Sequence, residues 1–212
     1  MTDRPILFSG PMVRAILEGR KTQTRRVLKG STEHKGPYNS AYVEHYQRST
    51  GWAKICPYGQ RGDRLWVRET TLADYEVAET IKAARYEADG EPVLYSGPEV
   101  DENGDDDYGG SHAHWWYSKD RCPSIHMPRW ASRLTLEITA VRVERLQDIT
   151  QEDAIAEGMN GSYMLPEGKL GGKLLSAQTQ FTQLWHEING KKFENSWDAN
   201  PWVWVVEFKK CA

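Results

Sequence analysis

Arg133-Leu134-Thr135-Leu136-Glu137-Ile138-Thr139-Ala140-Val141-Arg142-Val143-Glu144-Arg145-Leu146 is the stretch on which the fold turns. Leu134, Leu136 and Ile138 occupy even positions, whereas Val141 and Val143 occupy odd ones. Alternation of this kind marks a half-buried strand. The change of phase near Thr139-Ala140 marks a bulge or sharp bend, as a barrel strand needs.

Downstream, Thr150-Gln151-Glu152-Asp153 opens a short helix that Gly158 ends. Phe181, Leu184, Trp185 and Ile188 follow the i, i+3, i+4, i+7 pattern of a buried helix face closed by Gly190, and Trp202–Phe208 is a final strand. Upstream, Gly62-Asp63 is a turn before a strand over Arg64–Glu69, and Lys82–Ala88 reads as another strand. Near the start, Pro5–Phe8 is a short strand. Ser9 or Gly10 caps a helix from Pro11 that carries Met12, Ile16 and Leu17 on one face and stops at Gly19, and a further strand runs over Thr22–Leu28. The expected class is α+β: a small bent β-barrel, with three short helices at its ends and long loop insertions. No Gly-rich phosphate loop follows a strand, which counts against a nucleotide-binding α/β fold.

The 212 residues fit one domain over 1–212, with insertions at about 30–60 and 75–120. Apolar residues make up only 39%, so the core is modest and much of the length is loop. The net charge of −3 argues against coating duplex DNA but permits a compact basic site. Three widely spaced cysteines (Cys56, Cys122, Cys211) imply no disulfide framework, and no apolar run approaches a membrane span. The expectation is a soluble cytoplasmic protein.

The basic residues concentrate in Gly19-Arg20-Lys21-Thr22-Gln23-Thr24-Arg25-Arg26. Charge runs are usually solvated turns. This one stands in a mildly acidic chain beside a helix end, where donors can grip a polar or anionic ligand. Lys21 precedes the Thr24 hydroxyl by three residues. A threonine attacks only if a base takes its proton, and a lysine is that base only once burial or neighbouring positive charge lowers its pKa. Glu157 is the carboxylate nominated to orient the pair, although helical periodicity reads it as exposed; Glu69 is the reserve. Trp66, which alternates with Leu65 and Val67, offers a stacking face. In Ser124–Trp130, His126, Arg129 and Trp130 can line a pocket.

Metal chemistry finds little footing. Cys122 and His126 stand four apart, with His112 and His114 before them, but Pro123 and Pro128 oppose a helix and no second ligand pair follows. The acidic run over Glu99–Gly110 lacks the glycine of a calcium loop and has His112 where the bidentate glutamate belongs. No metal and no cofactor is expected.

Gly19, Lys21 and Arg26 reproduce the G-x-K-x-x-x-x-R signature of the ASCH domain, a family that resembles the PUA fold, a small β-barrel associated with RNA. Together with Pro5–Phe8, Gly62–Glu69, Ser124–Trp130, Thr150–Gly158 and Trp202–Phe208, the chain looks like the ASCH proteins of bacteriophages and prophages. One bacterial family member is an amidohydrolase of N4-acetylcytidine with a Lys, Thr and Glu set. Its G-R-K-T-x-T motif is repeated here, and the resemblance implies Lys21, Thr24 and Glu157 as catalytic residues. In such a reaction Arg20 or Arg26 is expected to steady the ligand or the developing oxyanion. Other members look like single-strand ribonucleases, for which Lys21, Arg25 and Arg26 would be the active set. The expected partner is a modified nucleoside or single-stranded RNA. The alternatives to an amidohydrolase are a non-catalytic RNA-binding module and a ribonuclease.

Overall fold

The computed structural model describes residues 2–29, 55–75, 82–94, 112–164 and 174–211. In chain order the elements are β1 (Asp3–Leu7), α1 (Gly10–Leu17), β2 (Gln23–Val27), β3 (Arg64–Arg68), β4 (Thr71–Asp74), β5 (Ala83–Tyr86), β6 (Arg121–Cys122), β7 (Thr135–Arg145), α2 (Gln151–Ala156), β8 (Ser162–Met164), β9 (Leu174–Ser176), α3 (Ala177–Asn189) and β10 (Trp202–Lys210). The chain is mixed α+β. Among the described residues every sheet is open-ended, and none closes into a barrel.

The chain divides into two compact units. The first comprises Met1–Thr2, Ala15–Arg64 and Glu137–Lys210. In it β10 lies between β7 and β2. The β10–β2 pairing is antiparallel, with Val205 opposite Arg25 and Val206 opposite Thr24. Val203 and Val205 pack with Leu146, Ile149, Ala154, Ala177, Phe181 and Trp185 in one apolar cluster. Alternation along a strand therefore turns Gln23 and Arg25 toward the helix side and Thr24 and Arg26 to the other.

The second unit comprises Asp3–Arg14, Leu65–Leu136 and Cys211–Ala212. Here β1 neighbours β3, and β4 lies between β5 and β6. Ala84, Tyr86, Val93, Ala113, Met127 and Ala131 form its core, covered in part by Trp115 and Trp116. Two short 3-10 turns, Ser124–His126 and Arg129–Ala131, follow β6.

The change of phase in β7 is visible in burial: Leu136 and Ile138 are buried, then Val143. Thr150 caps α2 through a reciprocal capping box with Asp153. One helix expectation needs correction. Ile188 is 51% exposed, so the buried face of α3 is Ala177, Phe181 and Trp185. Gly190 closes that helix with right-handed backbone; it is glycine because a Cβ would collide with the His186 carbonyl. The expected acidic run over Glu99–Gly110 and most of the 30–60 insertion lie outside the described residues.

Candidate active site

Two glycines shape the site. Gly19, in left-handed backbone at φ +75°, ends α1 and lets the amides of Arg20 and Lys21 both donate to the Ala15 carbonyl at 2.9 Å. Gly158 does the same for α2 at φ +98°. Its amide donates to Ile155 O at 2.8 Å, and the Met159 amide to Ala154 O at 3.1 Å, the paired bonds of a Schellman cap. A Cβ on Gly158 would lie 3.0 Å from Ala15 Cβ and 3.2 Å from Lys21 Cβ, so the absence of a side chain admits the lysine. Lys21 and Glu157 then meet as an isolated antiparallel bridge, and the Thr22 amide donates to Ala156 O at 2.8 Å.

Lys21 is 2% exposed and Glu157 4%. Lys21 Nζ donates to Glu157 Oε2 at 2.7 Å, to the Glu157 carbonyl at 2.9 Å and to the Gln23 carbonyl at 2.9 Å. Burial drives the lysine pKa below its ordinary 10.5. The charge and hydrogen bond of Glu157 oppose that fall, while Arg26 and Arg25 add to it. The basic run is therefore not a solvated turn at Lys21, and the exposed position that periodicity gave Glu157 is incorrect. Glu157 is the C-cap of α2, where the chain turns back toward Lys21.

Arg25 is enclosed completely, its side chain 0% exposed. It pairs with Glu144, with Asp153 Oδ2 at 3.1 Å and with Glu157 Oε1 at 3.4 Å, over the Phe181 ring at 6.0 Å. Arg142 joins the same carboxylates, reaching Glu144 at 3.0 Å, Asp153 at 3.1 Å, and Glu207. Burial by itself would raise Asp153; the Gln23 hydrogen bond and the charges of Arg25 and Arg142 outweigh it and hold the carboxyl below its ordinary 3.8. Sequence reasoning missed Glu144, Asp153 and Arg142. The i, i+4 spacing of Asp153 and Glu157 was the available signal, since it sets both carboxylates on one side of α2.

Of the other nominated residues, Thr24 is buried on β2. Arg26 is half-buried, and burial lowers its pKa, with Tyr58 and then Glu157 opposing. Arg20 is exposed, donating to Glu18 at 2.7 Å and to the Gly158 carbonyl at 2.8 Å. Trp66, His126, Arg129 and Trp130 belong to the second unit. There the guanidinium groups of Arg68 and Arg129 lie 5.3 and 5.5 Å from the Trp66 ring centre. His126 stacks on Tyr117 at 5.5 Å, and exposed Trp130 meets Trp116 edge-on at 4.8 Å. Glu69 is also in that unit, buried against Arg133 at 2.9 Å. Among the described residues no three His, Cys, Asp or Glu side chains gather as for a metal ion. No described helix is long and apolar enough to cross a membrane.

No family model and no curated protein matches the chain. A crystal structure of an ASCH domain from Lactobacillus crispatus JV V101 is similar over 99% of this chain and 79% of that one, at 13% identity and a TM-score of 0.37. A likeness so slight carries no argument about fold or chemistry.

Proposed function

We propose that the chain is a phage- or prophage-type ASCH protein, a PUA-like domain over 1–212, that removes the acyl group from an N4-acetylcytidine-like nucleoside in the cytoplasm. The observation that carries this reading is the buried 2.7 Å contact of Lys21 with Glu157, made across 136 residues of chain at the G-x-K-x-x-x-x-R motif. An amine removed from water is more readily deprotonated, which a base at neutral pH requires.

In the proposed reaction neutral Lys21 takes the Thr24 hydroxyl proton as Thr24 Oγ1 bonds to the amide carbonyl carbon. The tetrahedral adduct collapses with cleavage of the C–N bond, and the Lys21 ammonium passes its proton to the departing cytosine amine. Water then hydrolyses the threonine ester, giving cytidine and acetate. Glu157 orients Lys21, and Arg26 or Arg20 steadies the oxyanion. Incubation with N4-acetylcytidine should release cytidine, and Lys21→Ala or Thr24→Ala should lower turnover about 100-fold or more. An inactive wild type, or variants at full rate, would overturn the scheme.

The exposed Arg129 and Trp130 of the second unit favour one other reading, a non-catalytic binder of single-stranded RNA. That reading predicts salt-dependent RNA binding without cytidine release.

A further inference from the structure

Arg25 is placed unlike a ligand-gripping arginine. Its side chain is closed off from solvent, and the guanidinium is committed to carboxylates of its own unit. The two oxygens of Glu157 are divided: Oε2 lies 2.7 Å from Lys21 Nζ, while Oε1 lies 3.4 Å from Arg25 Nη1. Asp153, one helical turn earlier, is drawn to the same guanidinium, and so is Glu144 on β7. The Nε of Arg25 is buried and makes no hydrogen bond among the described residues, so the group is held by its two terminal nitrogens alone.

We infer that Arg25 is a positioning residue for the Lys21–Glu157 pair, holding Glu157 away from full neutralisation of Lys21 so that the amine can give up its proton. An arginine suits this task because it keeps its charge at every working pH, whereas a lysine there would titrate with its neighbour. The groups bearing on Lys21 are Glu157 from the end of α2 and Arg25 and Arg26 from β2. Around Arg25 stand Glu144 from β7, Asp153 and Glu157 from α2, and Phe181 from α3. Arg142 and, through it, Glu207 on β10 complete the network. Glu144 and Asp153 are shared with Arg142 and fix the guanidinium through Nη2, leaving its Nη1 for Glu157. Replacing Arg25 by a neutral side chain removes a positive neighbour and returns the whole Glu157 carboxylate to Lys21, so the amine holds its proton to higher pH.

The inference rests on Lys21 acting as the base, but its test needs no turnover. In full-length protein with isotope-labelled lysine side chains, NMR titration reads the Lys21 midpoint directly. Arg25→Met should move it upward, and Arg25→Lys should return it toward wild type. Glu144→Gln should move it downward, and that movement should shrink in the Arg25→Met background, because the coupling runs through Arg25. Where cytidine is released, the alkaline-going limb of kcat should move with the midpoint while KM holds. An unmoved midpoint in folded Arg25→Met, or strictly additive Arg25 and Glu144 effects, would overturn the assignment. Should Arg25→Met not fold, the equally uncharged Arg25→Gln carries the same cycle with Glu144→Gln. Failure of the hydrolase reading would show separately, as absent cytidine release with the titration intact.

Discussion

Arg25 and Arg133 each gather carboxylates, one in each unit, and they do so to different ends. Arg133 is gripped fork to fork: Nε at 2.9 Å and Nη2 at 3.0 Å donate to Glu69, and Nη1 at 2.8 Å and Nη2 at 3.1 Å donate to Asp89. Its face lies 3.8 Å from the Tyr86 ring centre. Around Arg25 one carboxylate is instead shared with a lysine. An arginine does not release its proton in a protein, whereas a buried lysine does so readily. The Arg133 cluster thus holds a shape, and the Arg25 cluster also governs a charge.

The largest expected effect tests the holding role. Arg133→Ala leaves buried Glu69 without its partner and should cost about 3 kcal/mol of stability, read from denaturant midpoints. The titration of Lys21 should stay where it is, and movement there would break the contrast. A smaller loss, about 1–2 kcal/mol, is expected for Gly158→Ala, where a side chain must adopt left-handed backbone and press on Ala15 and Lys21. That variant should also lower cytidine release, which Arg133→Ala should not do per folded molecule.

The smallest effect sharpens the contrast through pH. Asp153 has a folded pKa below its ordinary 3.8, so its contribution is full above that value and fades as pH falls through the lower one. Glu69 is raised above its ordinary 4.5 because burial outweighs the hydrogen bond and charge of Arg133. Its contribution is full below 4.5 and fades as pH rises through the higher value. Stability measured against pH should therefore flatten on the acid side in Asp153→Asn, and change with the opposite slope in Glu69→Gln.

What could be read beforehand was local. The capping box at Thr150 and the change of phase in β7 depend on neighbours in sequence, and both are present in the fold. The strands β4 and β6 were missed because a run as short as Arg121–Cys122 has no period; only its partner at Thr71 and Leu72 makes it a strand. The motif at Gly19–Arg26 pointed to Lys21, but its burial was not legible, since it comes from α2 folding across it 136 residues later. Glu157 was read as exposed because helical periodicity stops applying at a cap. The same Gly158 that signalled the end of the helix is what turns that residue inward. Arg25 was read as a residue that grips substrate or RNA, because sequence says nothing about which arginine is closed in by three acids.

The Lys21 amine is tethered by two main-chain oxygens, those of Gln23 and Glu157, as well as by a carboxylate. Location and electrical character are thus written in different parts of the molecule: peptide groups settle where the nitrogen sits, and side chains settle how basic it is. A homologue or a designer can exchange the acids around it, retuning its basicity, without the nitrogen leaving its seat.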